Sequence, residues 1–186
     1  SLSPYPDKSV YELLEDTAKN LPDQTAILVA PRRLGGLRPA NKLTYSQLND
    51  LSSRLAAGLA ALGVKKGDRV AVAFPNSAQF VISFFAILKA GGVVVALNPT
   101  YPPAKWAEQL NDSGAETVIT MSRFYEGLNS IRGQTPVKRM VVSNIKEYFP
   151  GLIKTLFTLA TEKKSGDRVE ALHQGDAWFQ DLISQY

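Results

Sequence analysis

From Asp68 to Pro99 the hydrophobic pattern switches from that of a strand to that of a helix and back. Val70, Val72 and Phe74 form a short β-branched and aromatic run closed by Pro75-Asn76-Ser77, which predicts a strand. From Asn76 onward, Phe80, Val81, Phe84, Phe85 and Leu88 recur at helical spacing. Asn76, paired with Gln79, is placed to cap the first turn, and Gly91 to end the last in a left-handed conformation. A helix is therefore predicted over residues 77–90. Val93-Val94-Val95 follows as the unbroken apolar run of a parallel strand covered on both faces. Together these make a βαβ unit.

Ahead of it, Ser9 and Glu12 form a capping box, and Val10, Leu13, Leu14, Thr17 and Leu21 mark the apolar face of a helix that Pro22 stops. Thr25 to Ala30 reads as a strand, and Pro31 to Asn41 as a long turn into a partner strand over Lys42 to Tyr45, making a hairpin. Thr44 and Gln47 form a second capping box. Leu48, Leu51, Leu55, Leu59 and Leu62 keep helical spacing until Gly63, with Val64 placed for the apolar contact that accompanies such an ending.

Beyond the βαβ unit, Pro102-Pro103 open a helix that carries Trp106, Ala107 and Leu110 and stops at Gly114. A strand over Thr117 to Thr120, a helix over Arg123 to Ile131 and a strand over Val137 to Ser143 follow. This alternation predicts an α/β fold: a mostly parallel sheet with helices on both faces, plus the N-terminal hairpin, in one domain over residues 1–186. Past Ser143 it lapses into a less regular tail, 144–186. There an apolar segment from Tyr148 to Ala160 leads through a polar loop to a small helix from Asp176 with Trp178, Phe179, Leu182 and Ile183.

Composition, 45% apolar and 20% charged, is that of a globular protein. A net charge of +4 is too small to imply a nucleic-acid partner, and Arg32-Arg33 and Lys163-Lys164 read as solvated faces. With no cysteine, disulfides, thiolate metal sites and thiol catalysis are excluded. No apolar run approaches the roughly 18 residues of a spanning helix, and the first residues lack a signal-peptide core, so a cytoplasmic location is expected. The chain begins at Ser1 without methionine, as a processed chain or one with altered ends would. Residues 148–160 admit three readings: core packing, an interface, or a membrane-surface element with Lys154, Lys163 and Lys164 at headgroup level.

Candidate chemistry is sparse. No phosphate-loop, dinucleotide, zinc-protease or nucleophile-elbow motif occurs, and no catalytic or metal-ligating residue is assigned. His173, the single histidine, lies in a polar stretch and reads as a surface or capping residue despite Asp167 and Asp176 nearby. Phe80, Phe84 and Phe85 have the spacing of core residues rather than of an acyl cavity. Asn76, Asn98 and Tyr101 each fall just beyond the carboxyl end of a predicted strand, the edge on which open parallel sheets bind ligands. They are the substrate-cleft candidates, set against the plainer roles of helix cap and turn.

Three segments carry a family resemblance: LTYSQLND at 43–50, GVKKGDRVAVAFPNSAQFVISFFAILKAGGVVVALNPTYPP at 63–103 and QLNDSGAETVI at 109–119. In this order and separation they resemble the N-terminal part of the adenylate-forming acyl-CoA synthetases. The tail, VKRMVVSNIKEYFPGLIKTLF and then DAWFQDLI, is similar to bacterial long-chain fatty acid CoA ligases. The resemblance implies ATP, magnesium and CoA for the parent enzyme, with a fatty acid converted to its CoA thioester through an acyl-adenylate.

The family's Ser/Thr/Gly-rich phosphate loop, its adenine and ribose contacts and its catalytic lysine match no position here. The expectation is thus an N-terminal fragment of a longer ligase, inactive alone, with none of these cofactors bound to it and apolar surface that favours self-association. Two other readings stay open: a stand-alone binding or interaction module, and part of a fatty acyl-AMP ligase or other adenylating enzyme.

Overall fold

The structure is a computed structural model that describes residues 7–29 and 40–186. Helix α1 (Val10–Asn20) opens on the predicted box, the Glu12 carboxylate accepting from the Ser9 amide and hydroxyl at 2.6 Å each. Strands β1 (Thr25–Val29) and β2 (Asn41–Thr44) pair antiparallel as a separate hairpin. The predicted strand end at Ala30, the turn that follows it and Arg32-Arg33 lie outside the described residues.

Helix α2 (Tyr45–Ala61) starts on the second box, the Thr44 hydroxyl accepting from the Gln47 amide at 3.2 Å and the Gln47 side chain accepting from the Thr44 amide at 2.9 Å. Its end follows from Gly63 at φ +93°. The Gly63 amide reaches Ala60 O (2.9 Å) and the Val64 amide Leu59 O (3.0 Å), with the Val64 side chain buried.

The predicted βαβ unit is present as β3 (Arg69–Ala73), α3 (Ala78–Lys89) and β4 (Val93–Ala96). Gly91, at φ +77°, ends α3 with the same bond pair: Gly91 to Leu88 O at 3.0 Å and Gly92 to Ile87 O at 2.8 Å. Two expectations are corrected here. Ser77 is the cap rather than Asn76, its hydroxyl accepting from the Phe80 amide at 3.2 Å. Nor does the aromatic stripe form the deeply buried face. Ala78, Gln79, Ile82, Ser83, Ala86 and Ile87 do, while Phe80, Val81 and Phe85 pack around them half-buried. The aromatic spacing marks a helix but not the side that meets the sheet, where Ala78, Ser83 and Ala86 allow the closer approach.

The chain continues through α4 (Pro103–Ser113), β5 (Thr117–Met121), α5 (Ser122–Asn129) and β6 (Arg139–Ser143). After a 3-10 turn at Ile145–Tyr148 come α6 (Gly151–Ala160), β7 (Ala177–Trp178) and α7 (Phe179–Gln185). The tail is therefore more regular than its sequence pattern predicts. Ala177-Trp178, read above as helix, is a fifth parallel strand beside β6. The α7 side chains of Phe179, Leu182 and Ile183 are buried.

All five strands run parallel in the order β4-β3-β5-β6-β7. Alternate strand residues build two cores. Val70, Val72, Ile119 and Met121 pack toward α2, α3 and α7, and Ala71, Ala73, Val118 and Val142 toward α4 and α5. Helix α1 sits at the rim of the first. It buries Leu14 and Ala18 against α2 and α3, whereas Val10, Leu13 and Leu21, expected on the buried face, are about half exposed. A helix leaning on its neighbours along one edge can bury only a narrow stripe.

Candidate functional site

The strand order puts β4 on one side of β3 and everything later on the other. The sheet therefore changes its direction of growth between β3 and β5, and ligands of open parallel sheets bind beyond the carboxyl ends at such a point. On this edge lies a cleft of about 550 Å³ between the hairpin, the entry to α3 and the chain leaving β6. Its lining includes Ile27 and Val29 from β1, Asn76 to Gln79 from the β3–α3 turn, and Ile145 and Phe149.

Two cross-links hold these walls. The buried Gln79 side chain donates through Nε2 to Asn144 O at 3.0 Å, tying the first turn of α3 to the end of β6. Asn41 Nδ2 donates to Tyr148 O at 3.3 Å, tying the hairpin to the same stretch. Exposed Asn76 sits on the rim.

Asn98 and Tyr101 stand beyond the end of β4, as their position predicts, and neither is among the residues lining the cleft. Asn98 organises its own turn. Its Oδ1 accepts from the Thr100 amide (2.9 Å) and hydroxyl (2.8 Å), and its carbonyl accepts from Trp106 Nε1 at 2.8 Å. Tyr101 is exposed. The three candidates thus share one edge of the sheet, and Asn76 alone reaches the cleft.

A second cavity, about 320 Å³, opens beyond the ends of β6 and β7 and is lined by Ser143, Asn144, Lys146, Glu162, Trp178 and Gln180 among others. Its buried carboxylate is already matched. Glu162 accepts from Lys146 Nζ at both carboxylate oxygens and from Asn144 Nδ2, all at 2.7 Å. Ser122 and Ser143, which follow or end β5 and β6, have buried hydroxyls with no partner among the described residues. Sequence reasoning passed over both, because a serine at a strand end reads as an ordinary turn residue.

The densest polar cluster is elsewhere, around Asp176. Its buried carboxylate accepts from Tyr125 Oη at 2.7 Å, from Arg132 Nη2 at 2.6 and 2.7 Å, and from the Met140 amide at 2.7 Å. Burial pushes the Tyr125 phenol up to about 12, so the hydroxyl stays protonated and donates to Asp176 while accepting from the His173 amide at 2.8 Å. The exposed His173 ring meets Asn129 at 2.9 Å and no carboxylate, in keeping with a surface role. This cluster braces β6 against the chain entering β7.

What the cleft can do follows from its lining, which among the described residues is aliphatic and aromatic with neutral Asn, Ser and Gln and no charged side chain. Such a surface suits a hydrocarbon and gives a polyphosphate no cation to meet. Among the described residues no group of three His, Cys, Asp or Glu is placed to hold a metal ion. The described residues therefore do not fit ATP with its magnesium.

Residues 14–177 match the family model described as AMP-binding enzyme. The chain is 33% identical over 161 residues to a long-chain-fatty-acid–CoA ligase of Bacillus subtilis, covering 87% of this chain and 27% of the relative. It is 37% identical over 143 residues to a ligase of the same description from Salmonella typhimurium, covering 75% and 24%. Among solved structures, a long-chain-fatty-acid-CoA ligase from Archaeoglobus fulgidus superposes with a TM-score of 0.68 at 29% identity, over 74% of this chain and 28% of that one. The chain thus spans about a quarter of the length of the curated relatives it matches.

Proposed function

Since this chain belongs to the AMP-binding enzyme family, we propose that it is the N-terminal part of a long-chain fatty acid CoA ligase and builds one wall of that enzyme's substrate cleft. The observation that carries the reading is the joint match of residues 14–177 to the family and of most of the chain to relatives named as long-chain ligases. The reaction proposed for the whole enzyme joins a fatty acid to ATP as an acyl-adenylate, releasing pyrophosphate, and then passes the acyl group to the CoA thiol, releasing AMP. Magnesium and positioned donors for the moving phosphate belong to that chemistry. No residue of this chain is given a part in either step.

The chain's own contribution is shape and burial. A cleft that is largely apolar and, among the described residues, uncharged favours the hydrocarbon side of a fatty acid, with Asn76 as the polar group at its rim and Asn98 and Tyr101 on the neighbouring loop. The reading keeps residues 1–186 as one domain and takes the cytoplasm as its location, with peripheral contact to a membrane. It also expects the isolated chain to self-associate in water through exposed apolar surface on α6.

Expression of these residues in continuity with the reading frame that encodes them tests the proposal. Palmitoyl-CoA formed from palmitate, ATP and CoA is the expected product. Palmitoyl-AMP left as the end product in the presence of CoA would move the assignment to an acyl-AMP ligase, and no adenylation of any fatty acid would overturn it.

A further inference from the structure

The cavity of about 320 Å³ beyond the ends of β6 and β7 shares no lining residue with the apolar cleft. At about 30 Å³ for each non-hydrogen atom, it has room for a molecule of roughly ten such atoms. Ser143 lies at its floor, 1% exposed, with a hydroxyl that has no partner among the described residues. A buried hydroxyl left unbonded costs stability, which a ligand able to hydrogen-bond with it recovers. Trp178 and Val169 form apolar wall. Both are half-buried, resting on the second core while lining the cavity.

The charges that line the cavity cancel, with one exception. Lys146 Nζ donates to both oxygens of Glu162 at 2.7 Å. Glu147 is met by Lys154 of α6 at 2.6 Å. That helix packs Phe157 edge-to-face on Phe149 and leaves Leu152, Leu156 and Leu159 to solvent, so the core-packing reading of residues 148–160 is corrected. Asp181 is the exception. It stands exposed at the mouth and makes no ion pair among the described residues. The cavity thus runs from an unmatched carboxylate at its mouth, past an indole, to an unmatched hydroxyl at its floor.

We propose that this cavity binds a small organic cation: an ammonium on a short aromatic or hydrocarbon body with a hydroxyl at its far end. The ammonium pairs with Asp181, the body lies against Trp178 and Val169, and the hydroxyl exchanges a hydrogen bond with Ser143. The sign of the charge selects the class. A phosphate or carboxylate would meet Asp181 with every lining cation already engaged, and a neutral molecule forgoes the ion pair. The fatty acid, ATP and CoA of the ligase reading are all anions, so this site lies outside that reaction. Amine binding and adenylation can therefore fail independently.

The test is isothermal titration of the 186-residue chain with four probes of similar size: tyramine, its neutral alcohol analogue tyrosol, its acid analogue 4-hydroxyphenylacetate, and 2-phenylethylammonium, which lacks the hydroxyl. Tyramine is expected to bind, tyrosol roughly tenfold more weakly and 2-phenylethylammonium roughly fivefold more weakly, with no binding of the acid. Asp181→Asn, at an exposed position, should weaken tyramine roughly tenfold and leave tyrosol unchanged. Ser143→Ala should weaken tyramine roughly fivefold and leave 2-phenylethylammonium unchanged. The chain has two tryptophans, so two indole N–H resonances report the place of binding. That of Trp178, identified by its loss in Trp178→Phe, should move with tyramine while that of buried Trp106 stays. Failure of tyramine to bind up to millimolar concentration would overturn the proposal. So would equal binding of the acid, or undiminished tyramine binding by Asp181→Asn with its circular dichroism spectrum intact.

Discussion

Substituting Asp176 by asparagine changes no volume and removes one charge, yet it acts on three parts of the structure together. The carboxylate joins Tyr125 on α5, Arg132 on the following turn and the Met140 amide of β6, and its side chain is fully buried. Taking away the charge leaves the partly buried Arg132 guanidinium without a counter-ion, and Asp176→Asn is predicted to cost about 3 kcal/mol in urea denaturation. A loss below about 1 kcal/mol would mean that the cluster braces nothing. Nothing in the sequence marks this residue. His173 drew attention as the single histidine, but it is a surface group, and residues 125, 132 and 140 meet Asp176 only because β7 lies parallel to β6.

The elements that sequence resolved well are those with their own punctuation. The Thr44–Gln47 box, the left-handed Gly63 and Gly91 and the apolar run of β3 are local signals, and the structure uses each of them. The Val93-Val94-Val95 run, expected to be covered on both faces, lies instead in the edge strand β4 with Val93 about half exposed, because no described strand pairs on its outer side. Elements defined by a distant partner were misread or missed. Ala177-Trp178 is too short to show alternation and becomes a strand through its pairing with β6. The face of α3 was ambiguous because large apolar side chains occur all round the helix while the polar Gln79 and Ser83 lie on its buried side, and a cleft wall shared by β1, α3 and the residue 145–149 stretch has no sequence pattern. Gly58 is another such case. It lies within α2, where glycine weakens a helix by about 1 kcal/mol, but an added Cβ would stand 3.0 Å from Leu182 Cβ on α7. Gly58→Val is therefore predicted to lower stability by about 2 kcal/mol, the overpacking exceeding the gain in propensity. Increased stability in thermal unfolding would mean that α7 is not seated on α2.

At the scale of the molecule, a five-stranded parallel sheet, two cores and a hairpin form a scaffold whose carboxyl edge carries an apolar cleft. The family match covers nearly all of this scaffold, while the chain spans about a quarter of the relatives' length. Among the described residues the cleft has no charged side chain, and the buried carboxylates at the second cavity and in the Asp176 cluster are matched by cations and amides. An acyl-adenylating reaction has to neutralise a phosphate in transit, and no such groups are assembled among the described residues. On the function proposed above, these 186 residues shape a ligase's substrate cleft without performing its chemistry. Palmitate-dependent exchange of radiolabelled pyrophosphate into ATP by the purified chain, in the presence of magnesium, tests it most directly. The predicted result is exchange no faster than in a heat-killed control. Exchange above that control which requires palmitate and follows the chain through purification would contradict it.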